Sequence, residues 1–297
     1  MSVLVVERVG PLALIEDLGR PGYAAIGVTE SGAADRRALR LANRLLGNDE
    51  GAPAVEVLLG GLAVRAEGTV RVCVAGAPTP VAVDGRGAPL GTPLDLRDGQ
   101  LLSLGTPRTG LRTYLAIRGG LAEPLVLGSA STDPTMGVGP APLAPGRRLA
   151  VATASAHEAA DVDVAAAEGP PVTDVVLRVV LGPRDDWFLP VAVDALLTRA
   201  WAVTAEADRV GVRLAGPRLD RADDHQGETS ARELPSEAVV RGAVQVPHSG
   251  QPLVFLADHP TTGGYPVLAV VVDDDTDVLG QLRPGDRVRF RRIPRGW

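Results

Sequence analysis

Two stretches in the C-terminal third gather the densest set of groups that could do chemistry. They are Gln245-Val246-Pro247-His248-Ser249-Gly250-Gln251 and Asp258-His259-Pro260-Thr261-Thr262-Gly263-Gly264-Tyr265. In the second, two hydroxyls precede two glycines, so the backbone can turn sharply and aim N–H groups at a carboxylate, a phosphate or a developing oxyanion. A hairpin that needs glycine for positive φ accounts for the same residues equally well. His259 beside Asp258 has the residue types of a proton shuttle.

Three further clusters carry polar groups. Gly128-Ser129-Ala130-Ser131-Thr132-Asp133-Pro134 follows the strand-like Leu125-Val126-Leu127 and could hold a polar ligand through Ser129, Ser131 and Thr132. An Asx or Ser/Thr turn ahead of Pro134 is the structural alternative. Glu16-Asp17-Leu18-Gly19-Arg20-Pro21-Gly22-Tyr23 leads to Ser31-Gly32, where Ser31 or Ala33 can begin a helix with Asp35 in its first turn. In Asp208-Arg209-Val210-Gly211-Val212-Arg213 a strand would put Arg209 and Arg213 on one face, as an anion clamp or as an ion-paired outer surface.

The familiar signatures fail. Gly128-Ser129-Ala130-Ser131 has the wrong frame for G-x-S-x-G, and the Gly85 to Gly91 run contains Pro89 and opens no helix. Of the four histidines, His157 and His225 lie in acidic stretches, and His248 and His259 show no zinc spacing, so no metal site is expected.

All thirty basic residues are arginine, scattered singly or in pairs, and the net charge is −6. The absence of lysine excludes Schiff-base, P-loop and Ser-Lys chemistry, and the acidic balance argues against a nucleic-acid partner. The single cysteine, Cys73, sits in an apolar run and reads as a buried thiol. Glu7 and Arg8 cut short the apolar start, and no apolar run approaches the roughly 20 residues that span a bilayer, so a cytoplasmic location without membrane contact is expected.

The elements that must position these groups are short. Thirty-five glycines and 25 prolines punctuate brief Val- and Leu-rich segments, which predicts a mainly β chain. Predicted strands include Val70 to Ala75, Val81 to Asp84, Leu101 to Leu104, Thr113 to Ile117, Val175 to Val180, Pro252 to Ala257 and Val267 to Asp273. Helices are predicted over Ala34 to Leu46, stopped by Gly47-Asn48, and over Val191 to Ala200. The expected organisation is an N-terminal β-rich subdomain over 1–152, a linker or surface excursion over 153–174, and a β-barrel subdomain over 175–297. Leu96-Arg97-Asp98-Gly99-Gln100-Leu101-Leu102 is echoed by Leu282-Arg283-Pro284-Gly285-Asp286-Arg287-Val288, from duplication or from common turn chemistry.

In order along the chain, Asp17-Leu18-Gly19-Arg20-Pro21-Gly22-Tyr23, Ser31-Gly32-Ala33, Leu41-Ala42-Asn43-Arg44-Leu45, Asp208-Arg209, Gln245-Val246-Pro247, Gly250-Gln251-Pro252, Thr261-Thr262-Gly263-Gly264-Tyr265-Pro266 and Gln281-Leu282-Arg283-Pro284-Gly285-Asp286 resemble the biotin-dependent carboxyltransferase-like family. That family includes the C-type component of bacterial 5-oxoprolinase, the KipA proteins and part of the urea carboxylase carboxyltransferase domain. The resemblance implies two β-rich subdomains of cyclophilin-like barrel type, and a KipI-like partner that completes the site. It implies an ATP-using complex with 5-oxoprolinase subunits A and B that opens the lactam of 5-oxo-L-proline to L-glutamate. The alternatives it carries are a carboxyltransferase component that moves a carboxyl group from carboxybiotin to urea or a similar amide, with biotin as cofactor, and a KipA-type regulator that binds a kinase inhibitor.

On that resemblance Asp258, Thr261, Thr262 and Tyr265 are the expected catalytic groups. Ser129, Ser131, Thr132, Arg209, Arg213, Gln245, Gln251, Gly263 and Gly264 are the expected substrate-binding residues. The family pattern carries an arginine where Ala130 stands, a fuller glycine-rich run where Met136 to Ala141 stands, and an Arg-Gln type pair where His259-Pro260 stands.

Overall fold

The computed structural model describes residues 2–152, 174–222 and 234–294. The predicted linker, His157 and His225 lie outside the described residues, save Asp174 at the linker's end. The chain forms two compact units: Met1–Pro21 with Ser31–Pro170, and Gly22–Glu30 with Pro171–Trp297. Nothing in the sequence pattern anticipates that the short segment Gly22–Glu30 belongs to the second unit.

In the first unit the strands form two sheets. One runs in the order Arg148–Ala150, Val3–Arg8, Ala63–Glu67, Leu101–Leu104, Val81–Val83, Arg86–Ala88; the other runs Leu12–Glu16, Ala54–Leu58, Arg112–Ile117, Val70–Gly76, Leu94–Leu96. Their alternating valines and leucines meet in one core that includes Leu4, Ile15, Val55, Val64, Val72, Leu102 and Leu115. Helix α1 (Arg36–Leu45) lays Leu39, Ala42 and Leu45 over the five-stranded sheet beside Cys73 and Tyr114. Burial pushes the Cys73 thiol up to about 12, so it is an inert core group.

Helix α1 starts two residues after the predicted Ala34, and later still than Ser31 or Ala33. Asp35 is the N-cap itself, its carboxylate accepting from the Ala38 N–H at 2.9 Å. The end follows the Gly47-Asn48 signal: Asn48 N–H donates to Asn43 O and Gly47 N–H to Arg44 O, with Gly47 at φ 70°. A buried carboxylate pins the entry to the helix. Glu56 accepts from the Tyr114 hydroxyl at 2.6 Å, the Ala34 N–H at 3.0 Å and Arg112 Nε at 3.2 Å. Burial and the charge of Glu56 raise the Tyr114 pKa well above the ordinary phenol value, so the phenol keeps the proton it donates.

The second unit closes a seven-stranded barrel in the order Val175–Leu181, Val267–Val271, Ala243–Gln245, Leu253–Phe255, Gly211–Ala215, Trp201–Val203, Arg287–Arg292. Parallel pairing of the first and last of these completes the ring, with Leu177 opposite Phe290. The barrel is filled by residues such as Leu177, Trp201, Leu214, Val244, Val254, Leu268 and Phe290. Helix α2 (Pro190–Thr198) begins at Pro190, as its fixed φ favours.

The predicted strand from Val267 stops at Val271. Asp273-Asp274-Asp275 instead open helix α3 (Asp273–Leu279), where acidic groups favour the N-terminal end of the dipole. Arg178 then grips Asp275 through Nη2 at 2.7 Å. The two echoed segments share a turn, Gln100 N–H to Arg97 O and Asp286 N–H to Arg283 O, both 3.0 Å. The first turn joins two strands and the second joins α3 to a strand, so the echo marks turn chemistry. Among the described residues no helix is long and apolar enough to cross a membrane.

Candidate functional site

The second unit brings the richest polar stretches to one part of the barrel. Gln245 ends a barrel strand, and Asp258 to Pro266 connects Leu253–Phe255 and Val267–Val271, the two strands that flank it in the barrel. Gln245 is buried, and its Nε2 donates to Tyr265 O at 2.9 Å, while Val246 N–H donates to Pro266 O at 3.1 Å. Thr262–Gly263 pairs antiparallel with Glu237–Ala238, which Arg184 anchors through an ion pair to Glu237.

Glycine does a different job here from the one expected of a hairpin. Neither Gly263 nor Gly264 has positive φ. A Cβ on Gly263 would stand 2.5 Å from Gln245 Nε2, so a side chain there would displace the Gln245 amide from its bond to Tyr265 O. A Cβ on Gly264 would meet nothing closer than Leu234 O at 3.7 Å.

Asp258 and Arg209, expected as a catalytic group and a substrate-binding residue, are both buried and hold each other. Arg209 Nε lies 2.6 Å from Asp258 Oδ2 and Nη2 lies 2.9 Å from Oδ1. That fork fixes the chain before Thr261. Arg209 precedes the strand Gly211–Ala215 and does not share its outer face with Arg213. Arg213 is exposed and faces Glu206 at 3.5 Å, so the anticipated joint anion clamp is not assembled. Gln251 is also structural: its side-chain amide brackets Gly216, accepting from its N–H at 2.9 Å and donating to its O at 3.2 Å.

What remains outward-facing is Thr262, Gly264 and Tyr265, with Thr261 half-buried behind them. The Tyr265 ring packs edge-on against His248, their centroids 5.6 Å apart. Arg221, which no sequence motif singles out, donates to Val246 O at 2.9 Å and reaches His248 Nδ1 at 3.4 Å. A surface with hydroxyl, phenol and imidazole groups around a glycine can bind a small polar amide.

His259 is buried behind this loop. Its Nδ1–H donates to Pro260 O at 2.7 Å, which leaves Nε2 as the lone-pair nitrogen of the neutral ring. Burial lowers its pKa below the ordinary value near 6.5; the Pro260 carbonyl and the charges of Glu30 and Asp258 oppose this, and Arg241 adds to it. The unfolded chain therefore takes up a proton on falling through about pH 6.5 that the folded chain refuses. Stability present above that pH is lost as the pH falls towards the folded pKa. The thermal midpoint of the wild type is expected to drop more steeply between about pH 7 and 5 than that of His259→Gln. Parallel slopes would show that another group governs this window.

In the first unit the Ser129, Ser131 and Thr132 loop closes on Asp17. The Asp17 carboxylate accepts from Ser129 Oγ and Ser131 Oγ, each at 2.6 Å, and from the N–H groups of Ala130 and Gly19, each at 2.7 Å. Both serines are fully buried, so their hydroxyls are committed to the fold. Thr132 is buried as well. Leu125 to Leu127, predicted as strand-like, is exposed and makes only a bridge from Val126 to Ser129. Asp17 and the serines stand more than a hundred residues apart, and no periodicity could have paired them.

A mainly β chain with a closed barrel and a polar connection between the two strands that flank Ala243–Gln245 defines a class of domain; comparison with known proteins narrows it. A family model described as the carboxyltransferase domain, subdomain A and B, matches residues 26–292, and the chain belongs to that family. The C-type component of the 5-oxoprolinase of Escherichia coli (strain K12) is 36% identical over 295 residues, covering 97% of this chain and 90% of that protein. The urea amidolyase of Saccharomyces cerevisiae is 31% identical over 92% of this chain, which spans only 16% of that protein. The crystal structure of TTHA0988 superposes with a TM-score of 0.86 at 34% identity over 98% of this chain, which spans 55% of that one.

Proposed function

We propose that this chain is the C-type component of a 5-oxoprolinase, which works with partner subunits A and B to open the lactam of 5-oxo-L-proline to L-glutamate at the expense of ATP. The carrying observation is similarity to the corresponding Escherichia coli 5-oxoprolinase component over nearly the full length of both chains. The urea amidolyase supports the carboxyl-transfer alternative less well, since the chain corresponds to a small part of it.

The outward groups of Thr262 and Tyr265 are the candidates to contact substrate, with Thr261 behind them and Gly264 leaving room for close approach. Asp258 and Arg209 position this loop by their mutual ion pair. Gln245 holds the Tyr265 carbonyl, and through it the start of the next strand. A partner of KipI-like chemistry completes the site in this reading. ATP is met by the complex: Gly85 to Gly91 lies in and after the hairpin Val81–Val83 to Arg86–Ala88, which provides no helix N-terminus to cradle phosphates.

The test is reconstitution with the two partner subunits. The wild-type complex is expected to release glutamate from 5-oxo-L-proline only with ATP, and its failure to do so sinks the reading. Thr262→Val and Gly264→Ala are expected to reduce kcat by about 100-fold or more. Their thermal midpoint and the partner complex should remain, because both positions are exposed and open. Loss of folding instead would make this loop a structural element.

A further inference from the structure

The first unit contains a buried cation with no counter-ion among the described residues. Arg20 is 1% exposed, yet its guanidinium meets only main-chain carbonyls: Nε points to Val126 O at 3.4 Å and Nη2 donates to Ser131 O. Nη1 has no hydrogen-bond partner among the described residues, and none of their carboxylates forms an ion pair with Arg20. Asp17, three residues earlier, is already saturated by four donors. An uncompensated buried charge is costly, and charged side chains are almost never fully buried unless paired.

A groove borders this shell, although Arg20 is not itself one of its lining residues. It is walled by Val126, Gly139, Pro140, Pro142 and Pro145, with Glu123 and Arg147 among its lining residues. Val126 and Gly139 belong both to the groove and to the shell around Arg20: the first supplies the carbonyl that Nε faces, and a Cβ on the second would stand 3.3 Å from Nη2. Of the two cations nearby, Arg147 is spent on Glu123, through Nη2 at 2.7 and 2.8 Å. Arg20 is not.

We propose that Arg20 is the anion anchor of a small-carboxylate site in the first unit, with the proline-walled groove holding the ligand's apolar body. With Nε and Nη2 directed to carbonyls, Nη1 offers two N–H groups on one nitrogen, which suits one carboxylate. The predominantly apolar lining suits a compact ring. 5-Oxo-L-proline, a five-membered lactam that carries one carboxylate, has this chemistry. Its choice as ligand rests on the oxoprolinase reading; the anchor does not. The same loop holds a second buried group without a hydrogen-bond partner among the described residues, Thr132 Oγ1.

The experiment titrates the full chain alone, at constant ionic strength, with 5-oxo-L-proline, acetate and the neutral lactam 2-pyrrolidinone, by calorimetry. 5-Oxo-L-proline is expected to bind at least about tenfold more tightly than 2-pyrrolidinone, and Arg20→Gln to lose that preference. Acetate binding without 5-oxo-L-proline binding keeps the anchor and rejects the ligand. No carboxylate binding, equal binding of acid and neutral lactam by the wild type, or an unchanged preference in Arg20→Gln overturns the anchor. The wild-type comparison stands even if the variant fails to fold. Glutamate release by the complex is a separate readout, so failure there leaves the anchor standing and failure here leaves the oxoprolinase reading standing.

Discussion

Arg209→Met is expected to destabilise the second unit by about 3–5 kcal/mol. The substitution keeps most of the apolar stem and removes only the fork, so packing loss is small. What it leaves is Asp258, 2% exposed, with the guanidinium that met both its oxygens gone. The penalty is that of a buried carboxylate that has lost the cation facing both its oxygens, which exceeds the net worth of the pair. Arg209→Met combined with Asp258→Leu should therefore recover much of the loss, because neither charge then remains to be solvated. Two of the chain's three tryptophans, Trp187 and Trp201, lie in the core of this unit, so urea unfolding followed by tryptophan fluorescence reads it. A double variant as unstable as the single one would show that the arginine stem, and not the charge, carries the effect.

Asp17→Ala is expected to cost the first unit about 4 kcal/mol. Three buried donors and the half-buried Gly19 N–H lose one acceptor at once, and each unsatisfied buried donor costs about 1–3 kcal/mol, offset in part where a hydroxyl rotates to a new partner. Ser129 Oγ keeps one bond in either case, since it accepts from the Ser131 N–H at 3.0 Å. Asp17→Asn keeps the shape and one acceptor oxygen but turns an NH2 towards donors, and should fall between wild type and Asp17→Ala. Far-UV circular dichroism should report the loss while the tryptophan transition stays in place. Tryptophan and circular dichroism transitions that move together would mean the two units unfold as one.

These predictions follow from pairings that span long separations in the chain, and that is where the legibility of the sequence thins. The arginine pattern of Arg209 and Arg213 suggested a shared strand face. The turn through Asp208 instead delivers Arg209 to Asp258 before the strand begins. The hydroxyls of Ser129 and Ser131 looked like ligand groups because their carboxylate partner is 112 and 114 residues away. The glycines of Thr261 to Tyr265 looked like turn residues, yet Gly263 answers to a side chain on a neighbouring barrel strand.

Local chemistry, by contrast, was written in the order of residues. Valine and leucine runs between glycine and proline define the strands, and the spacing of Leu39, Ala42 and Leu45 defines the amphipathic helix that Gly47 and Asn48 end. Lysine-free composition removed whole classes of mechanism, and the run of motifs marked the family. These depend on periodicity, conformational preference and covalent type, all short-range properties that a linear chain displays. Which buried charge meets which partner depends on strand order and barrel closure. Only the tertiary structure could decide that Asp258 and Arg209 lock one another, that Asp17 gathers the serines, and that Arg20 is left with an unmatched charge behind a groove.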